Sequence, residues 1–214
     1  MEYLNFSYLF PPRPEHKVAR GLLSHYERLG WHAQVKKNGT ATVIFAKGDQ
    51  VIFKTRHAAE QKDGDDHKMW TPKQAHIDFF RGFDKWNVFV AELLHSKTPH
   101  IKDDLYIFDQ IVRDGVHLVG TTFSERQAML RLRYADGIEA RKADVRCDQL
   151  RIHKHICLAK NFKGGFDKLF DTLKPEDEGL VLKKPDARLE ACFKPMSNAA
   201  WQCKSRIAHA NYSF

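Results

Sequence analysis

The chain has 214 residues, 43% hydrophobic and 12% aromatic, so a buried core is within reach and wholesale disorder is excluded. Thirty-five lysines and arginines against 27 acids leave a net charge of +8, which suits a polyanionic partner such as nucleic acid or nucleotide phosphates. No apolar run approaches a membrane span, no signal-peptide pattern opens the chain, and the four cysteines form no CxxC pair, so a cytoplasmic protein with reduced thiols and no membrane partner is expected.

Residues 1–15 are rich in aromatics and proline and read as an extended N-terminal arm. Residues 16–29 read as a helix, with Val18, Leu22, Leu23 and Tyr26 on one face and Gly30 as its stop. Apolar runs over 31–35 and 41–46 flank Asn38-Gly39, which predicts a hairpin that holds Lys36 at a strand end. Gly48-Asp49 is a further turn and 51–55 a strand; Arg56 follows, at the start of a polar loop. Thr71 and Pro72 read as the N-cap and first position of a helix that carries Ile77, Phe79, Phe80 and Phe83. Strands are expected over 86–94 and 104–112, and a helix over 125–134 capped by Ser124. Residues 136–149 read as irregular, 152–158 as a strand, 166–173 as a short helix, and 179–183 and 201–207 as strands. His153 and His155 would share a strand face but have no carboxylate or cysteine at ligand spacing, so no metal site is read there. With no repeat and no linker, one compact domain over 1–214 is the expected division.

Seven charged residues adjoin these apolar strands: Lys36, Arg56, Glu92, Asp109, Glu178, Lys204 and Arg206. Charges near a core must be paired or bound to something charged. Both signs together suit a pocket for a phosphate-bearing ligand with a metal ion.

The order of short motifs resembles the nucleotidyltransferase domain of the ATP-dependent DNA and RNA ligases, relatives of the mRNA capping enzymes. Lys36-Lys37-Asn38-Gly39 resembles the first motif, Lys-x-(Asp/His/Asn)-Gly, and Lys54-Thr55-Arg56 resembles the next. Ala91-Glu92-Leu93-Leu94 and Leu105-Tyr106-Ile107-Phe108-Asp109 resemble the third motif and the one that supplies an aromatic to stack on the base. Glu178-Gly179-Leu180-Val181-Leu182-Lys183 is the sharpest match, and Trp201-Gln202-Cys203-Lys204-Ser205-Arg206 resembles the last. Ser124-Glu125-Arg126-Gln127 is similar to a helix that follows the aromatic motif in DNA ligases. Lys47-Gly48-Asp49 and Lys62-Asp63-Gly64 carry fragments of the first motif at the wrong distance from Arg56. Departures are Thr40-Ala41, where the family often carries an arginine, and Arg206 in place of lysine.

The resemblance implies an α+β fold of mixed and antiparallel sheets with flanking helices, an ATP-grasp-like nucleotidyltransferase domain with no OB-fold. It implies ATP and Mg²⁺ or Mn²⁺ as cofactors. The partner would be nicked duplex DNA or RNA, and another protein could replace the OB-fold clamp. Lys36 would be the nucleophile, its amine neutralised from an ordinary pKa of about 10.4 with help from Lys37, Lys204 or Arg206. Gln34, Val35, Asn38 and Gly39 would line the nucleotide, Phe108 would stack on adenine, and Glu92 would bind the ribose. Arg56 would contact ribose or the polynucleotide. Glu178 would place the metal, while Lys183, Lys204 and Arg206 would neutralise the α-phosphate in flight. A GTP-using guanylyltransferase and a non-catalytic nucleic-acid-binding relative are the alternatives.

Overall fold

The computed structural model describes residues 14, 16–55, 70–95, 97–98, 100–141, 148–174, 176–191 and 201–207. Along the chain the elements are β1 (His16–Lys17), a 3-10 turn (Arg20–Leu22), α1 (Leu23–Arg28), β2 (His32–Lys37), β3 (Thr40–Gly48) and β4 (Gln50–Thr55). Next come α2 (Gln74–Phe80), β5 (Phe83–Leu94), β6 (Asp104–Arg113), β7 (Val116–His117), α3 (Phe123–Arg133) and α4 (Ala135–Ala140). The last are β8 (Gln149–His153), β9 (Ile156–Ala159), α5 (Phe166–Asp171), β10 (Asp177–Lys183) and β11 (Gln202–Arg206).

The strands form two sheets. The smaller has the order β1-β11-β10-β2, and the larger runs β4-β3-β5-β6-β9-β8 with β7 beside β6. Pairing is antiparallel except for β1 with β11 and β6 with β9. Side chains alternate across each strand, so each sheet has two distinct faces. One face of the small sheet sends Ala33, Val35, Leu180, Leu182 and Cys203 against Leu23 of α1 and Phe166, Leu169 and Phe170 of α5. One face of the large sheet sends Ile44, Phe89, Ala91, Leu93 and Ile107 into a core with Phe80 of α2 and Leu130 of α3. Val43, Phe45, Val88 and Val90 line its other face. Both faces of β3 and β5 are therefore apolar, which is why Val43-Ile44-Phe45 and Val88-Phe89-Val90 read as unbroken runs rather than alternating ones. The helices are short, and their stability comes from these contacts rather than from propensity.

Several local expectations change. The segment around Asn38-Gly39 is not a hairpin, because β2 pairs with β10 and β3 pairs with β4 and β5. The chain leaves one sheet at Lys37 and enters the other at Thr40. Gly39 permits the crossing: a Cβ there would lie 2.4 Å from the Leu93 carbonyl oxygen and 2.8 Å from Glu92 Cγ. Residues 16–29 divide into β1, the 3-10 turn and α1, because His16 and Lys17 add to the edge of β11. Helix α2 is capped at Lys73 rather than Thr71; the Lys73 N–H donates to His76 Nδ1, and His76 Nε2 donates to the Asp103 carbonyl. Helix α3 is capped by Thr122 rather than Ser124, with Glu125 closing a reciprocal capping box. The segment read as irregular contains α4, and the strand read over 152–158 is a hairpin whose turn at Lys154-His155 separates His153 from His155.

Two β-bulges fall on functional candidates. Asp177 opposes Lys37 while Gly179 opposes Lys36, which leaves Glu178 as the extra residue. Ile107 opposes Ala91 while Asp109 opposes Val90, which leaves Phe108 as the extra residue. Bulges of this kind bend a strand and re-aim a side chain. The first depends on Gly179, at φ 141, where a Cβ would fall 1.9 Å from the Ser205 carbonyl oxygen. Gly179→Ala is expected to destabilise the fold by at least about 2 kcal/mol, read as a lower midpoint in urea unfolding, with loss of the Lys36–Glu178 ion pair.

Candidate active site

Alternation along the small sheet puts Gln34 and Lys36 of β2, Lys183 of β10, and Lys204 and Arg206 of β11 on the face opposite the α1–α5 core. The apposed face of the large sheet presents Glu92 and Phe108. The site is the meeting of these two faces, spanned by Lys183 Nζ at 5.1 Å from the Phe108 ring centroid.

Lys36 Nζ forms an ion pair with Glu178 Oε2, and Arg206 Nη2 reaches the same oxygen at 3.4 Å. Lys36 keeps 19% of its side chain exposed and Glu178 keeps 9%, so the pair sits at the edge of solvent rather than in the core. Glu92 lies beside them. Its carboxyl is pushed up to about 7, first by burial and then by the Glu178 charge, against the opposing pull of Lys36, Lys97 and the Gly39 N–H. Lys97 Nζ donates to the Gly39 carbonyl at 3.0 Å, bracing the crossing between the sheets. Asn38 Oδ1, two residues after Lys36 in the chain, is buried without a hydrogen-bond partner among the described residues.

Lys183 is 2% exposed. It has no ion pair or hydrogen bond among the described residues and lies over the rings of Phe108 and Phe123, at 4.7 Å from the latter. Burial is the main force that lowers its amine to about 8, with Arg126 adding to it and Asp109 opposing. A buried cation of this kind is suited to an anion that arrives from outside.

The remaining candidates divide. Val35 turns its side chain into the α1–α5 core at 3% exposure, so only its main chain could serve a nucleotide. Lys37 points away from Lys36 and binds Asp148 at 2.5 Å and Asp177 at 2.7 Å. Burial opposes its charge, but the two carboxylates outweigh burial and hold the amine above its ordinary value, so the Lys37 charge is engaged by Asp148 and Asp177. Arg206 is the cation that shares a carboxylate with Lys36. Lys204 Nζ donates to the Pro14 carbonyl at 3.0 Å. Asp109 does not face the cleft; it accepts from Arg126 Nε at 2.9 Å and Nη2 at 3.0 Å, a fully buried bidentate pair that ties α3 to β6. Arg56 lies outside the described residues. Gln127 and Asn161, which the sequence reading did not assign, join Gln34 through hydrogen bonds at 3.4 and 2.7 Å. Gln127 falls in the α3 segment already singled out; Asn161 carries no motif.

The Glu178 carboxylate fits a divalent cation whose other ligands are phosphate oxygens and water, the usual arrangement for Mg²⁺. Among the described residues no three His, Cys, Asp or Glu gather into a self-sufficient metal cage.

No family model and no curated protein matches the chain. Its fold has solved counterparts. A mycobacterial DNA ligase D complexed with ATP and MES gives a TM-score of 0.59 over 96% of this chain at 17% identity. The Pmar-Lig_Pre structure gives 0.61 over 94% at 13% identity, and a Lig E DNA ligase gives 0.51 over 92% at 11% identity. The chain spans 62%, 47% and 69% of the lengths of those three structures. Its architecture, mixed sheets with flanking helices, is thus the fold of the ligase nucleotidyltransferase domain, as the order of the motifs implied.

Two consequences can be measured without any ligand. A carboxyl whose folded pKa lies above its unfolded value costs stability as pH rises from about 4.5 to about 7, the interval over which Glu92 is displaced. Glu92→Gln is therefore expected to stabilise the protein at pH 8, by on the order of 2 kcal/mol, and to leave it unchanged at pH 4; thermal melts at the two pH values check this. Lys183 is displaced in the other direction, from 10.5 to about 8, so its cost is fully present below pH 8 and fades as pH rises toward 10.5. Lys183→Met is expected to raise stability at pH 7 by on the order of 2 kcal/mol, with the gain fading toward pH 10.5, measured by thermal melts at the two pH values.

Proposed function

We propose that the protein is an ATP-dependent polynucleotide ligase that works through a covalent adenylate on Lys36. The Lys36 amine attacks the α-phosphorus of ATP; an N–P bond forms, the bond to the bridging oxygen breaks, and pyrophosphate leaves. The attacking amine is neutral, and the N–H proton it loses as the N–P bond forms passes to solvent water. An oxygen of a 5′-phosphate on nucleic acid then takes the adenylate from Lys36. Finally a 3′-hydroxyl attacks that activated phosphate, AMP departs and the strand is joined.

The observation that carries this reading is the shared oxygen of Glu178, with Lys36 on one side, Arg206 on the other and Glu92 beside them. A lysine nucleophile needs a partner that holds its amine in line, and Glu178 is placed to do so, with Arg206 against the same carboxylate oxygen. Mg²⁺ or Mn²⁺, held by Glu178 and the phosphates, would supply charge neutralisation at the α-phosphate. Arg206 and Lys183 add fixed positive charge on the same side. Phe108, lifted by its bulge, offers a ring to the base, and Glu92 offers its carboxyl to the ribose. The mycobacterial ligase D of similar fold was solved with ATP, which agrees with this assignment of the nucleotide. The +8 charge suits a nucleic-acid substrate, nicked duplex DNA or RNA.

Incubation with ATP and Mg²⁺ is expected to add one AMP, mapped by mass spectrometry to Lys36. Lys36→Ala should abolish the adduct, and Arg206→Ala should slow its formation by about 10²-fold. Labelling by GTP in place of ATP would move the protein to the capping-type class. No label from either nucleotide, with salt-sensitive nucleic-acid binding retained, would leave a non-catalytic binding domain.

A further inference from the structure

Three side-chain amides meet beside the cleft, each from a different element. Gln34 comes from β2, Gln127 from α3 and Asn161 from the link that follows β9. Asn161 is brought there because the next residue, Phe162, exchanges two main-chain hydrogen bonds with Ala33, both at 2.9 Å. Gln127 Nε2 donates to the Phe108 carbonyl at 2.9 Å. That carbonyl is available because Phe108 is the extra residue of the β6 bulge and opposes nothing on β5.

The direction of every bond in the cluster follows from that carbonyl. A carbonyl only accepts, so the Gln127 NH₂ must face Phe108 and its Oε1 must face the other two amides. Oε1 then receives Asn161 Nδ2 at 3.2 Å and Gln34 Nε2 at 3.4 Å. With its nitrogen committed, Asn161 turns Oδ1 to Gln34 Nε2, at 2.7 Å. Both donors of the Gln34 NH₂ are thereby engaged. Its Oε1 has no hydrogen bond among the described residues and is the atom left to face a ligand.

Gln34 is on the same face as Lys36 and two residues before it, about 7 Å along the strand. The Phe108 ring, whose own carbonyl anchors the cluster, stacks equally well on any purine. A locked acceptor does discriminate: a 6-amino group donates to it, whereas a 6-oxo group meets it oxygen to oxygen. A site built to pair one polar group rejects an analogue that leaves it unpaired or opposed.

From this we infer that Gln127 and Asn161 are specificity-determining residues: acting through Gln34, they make the nucleotide site select adenine over guanine. The inference rests on the nucleotide site described under the proposed function. Neither residue needs to touch the nucleotide. Their task is to stop the Gln34 amide from turning its NH₂ outward.

The test is calorimetric binding of ATP and of GTP, with Mg²⁺, alongside covalent labelling by each. The wild-type protein is expected to prefer ATP. Gln127→Met removes the anchor while keeping the volume of the side chain, and Asn161→Ala removes the second constraint. Each should lower the ATP-to-GTP affinity ratio by at least about tenfold, chiefly by improving GTP. Adding Gln34→Glu to Gln127→Met should restore the preference, because a carboxylate presents oxygen whichever way it turns; a merely structural role for Gln127 would not be rescued in this way. Folding of each variant is confirmed by circular dichroism, and the second single variant stands in if the first does not fold. A wild-type protein that does not discriminate, or variants that keep the wild-type ratio, would overturn the inference even if Lys36 is labelled. Selective ATP binding with the expected variant effects but no label on Lys36 would uphold it and overturn the covalent mechanism.

Discussion

The ion pair between Lys36 and Glu178 is the constraint on which the rest of the arrangement depends. A strand lysine beside a strand glutamate in regular register would project parallel to it and stay in solvent. Here Glu178 is an extra residue in β10, and the bulge swings its carboxylate onto Lys36 of the adjacent strand. Gly179 makes the bulge possible by letting the backbone of β10 lie against β11, which in turn brings Arg206 to the same carboxylate. One local irregularity therefore gathers a nucleophile candidate, its counter-ion and a second cation.

The two sheets divide the labour. Cations come from the small sheet, whose other face is anchored by α1 and α5; the second carboxylate and the aromatic ring come from the large sheet. The crossing at Asn38-Gly39 couples them, since Gly39 lies against Glu92 and Leu93 while Lys36 and Lys37 remain paired with β10. Energetically the cleft is poised against itself. Glu92 and Lys183 are both held where their charged forms are disfavoured, and an incoming phosphate would relieve Lys183. A folded protein tolerates such groups where they serve binding rather than stability.

Charge pairing away from the cleft is of another kind. Arg126 and Asp109 are both buried and satisfy one another with two parallel hydrogen bonds, while Arg126 Nη1 donates to the Thr121 carbonyl at 2.8 Å. This pair holds α3 against β6 and so sets where Gln127 stands. Lys37, with Asp148 and Asp177, does the same for the end of β2. Both pairs position the site without entering it.

Much of the architecture was legible in the chain itself. Strands β3, β5, β6 and β10 follow from apolar runs bounded by turn residues, and the charges at their ends fall in an order that matches one fold. Composition alone pointed to a phosphate-bearing partner. What short-range pattern could not decide was pairing and facing. Asn-Gly between two apolar runs favours a hairpin locally, yet β2 pairs with β10, far along the chain, and there Val35 packs into the α1–α5 core. The side a charge faces depends on bulges that have no composition of their own, so Asp109 turned to Arg126 while Glu178 turned to Lys36. Gln34, Gln127 and Asn161 are far apart in the chain and became neighbours only through the closing of both sheets. Residue types and their sequence order are properties of the chain; the direction of each hydrogen bond among them is a property of the fold.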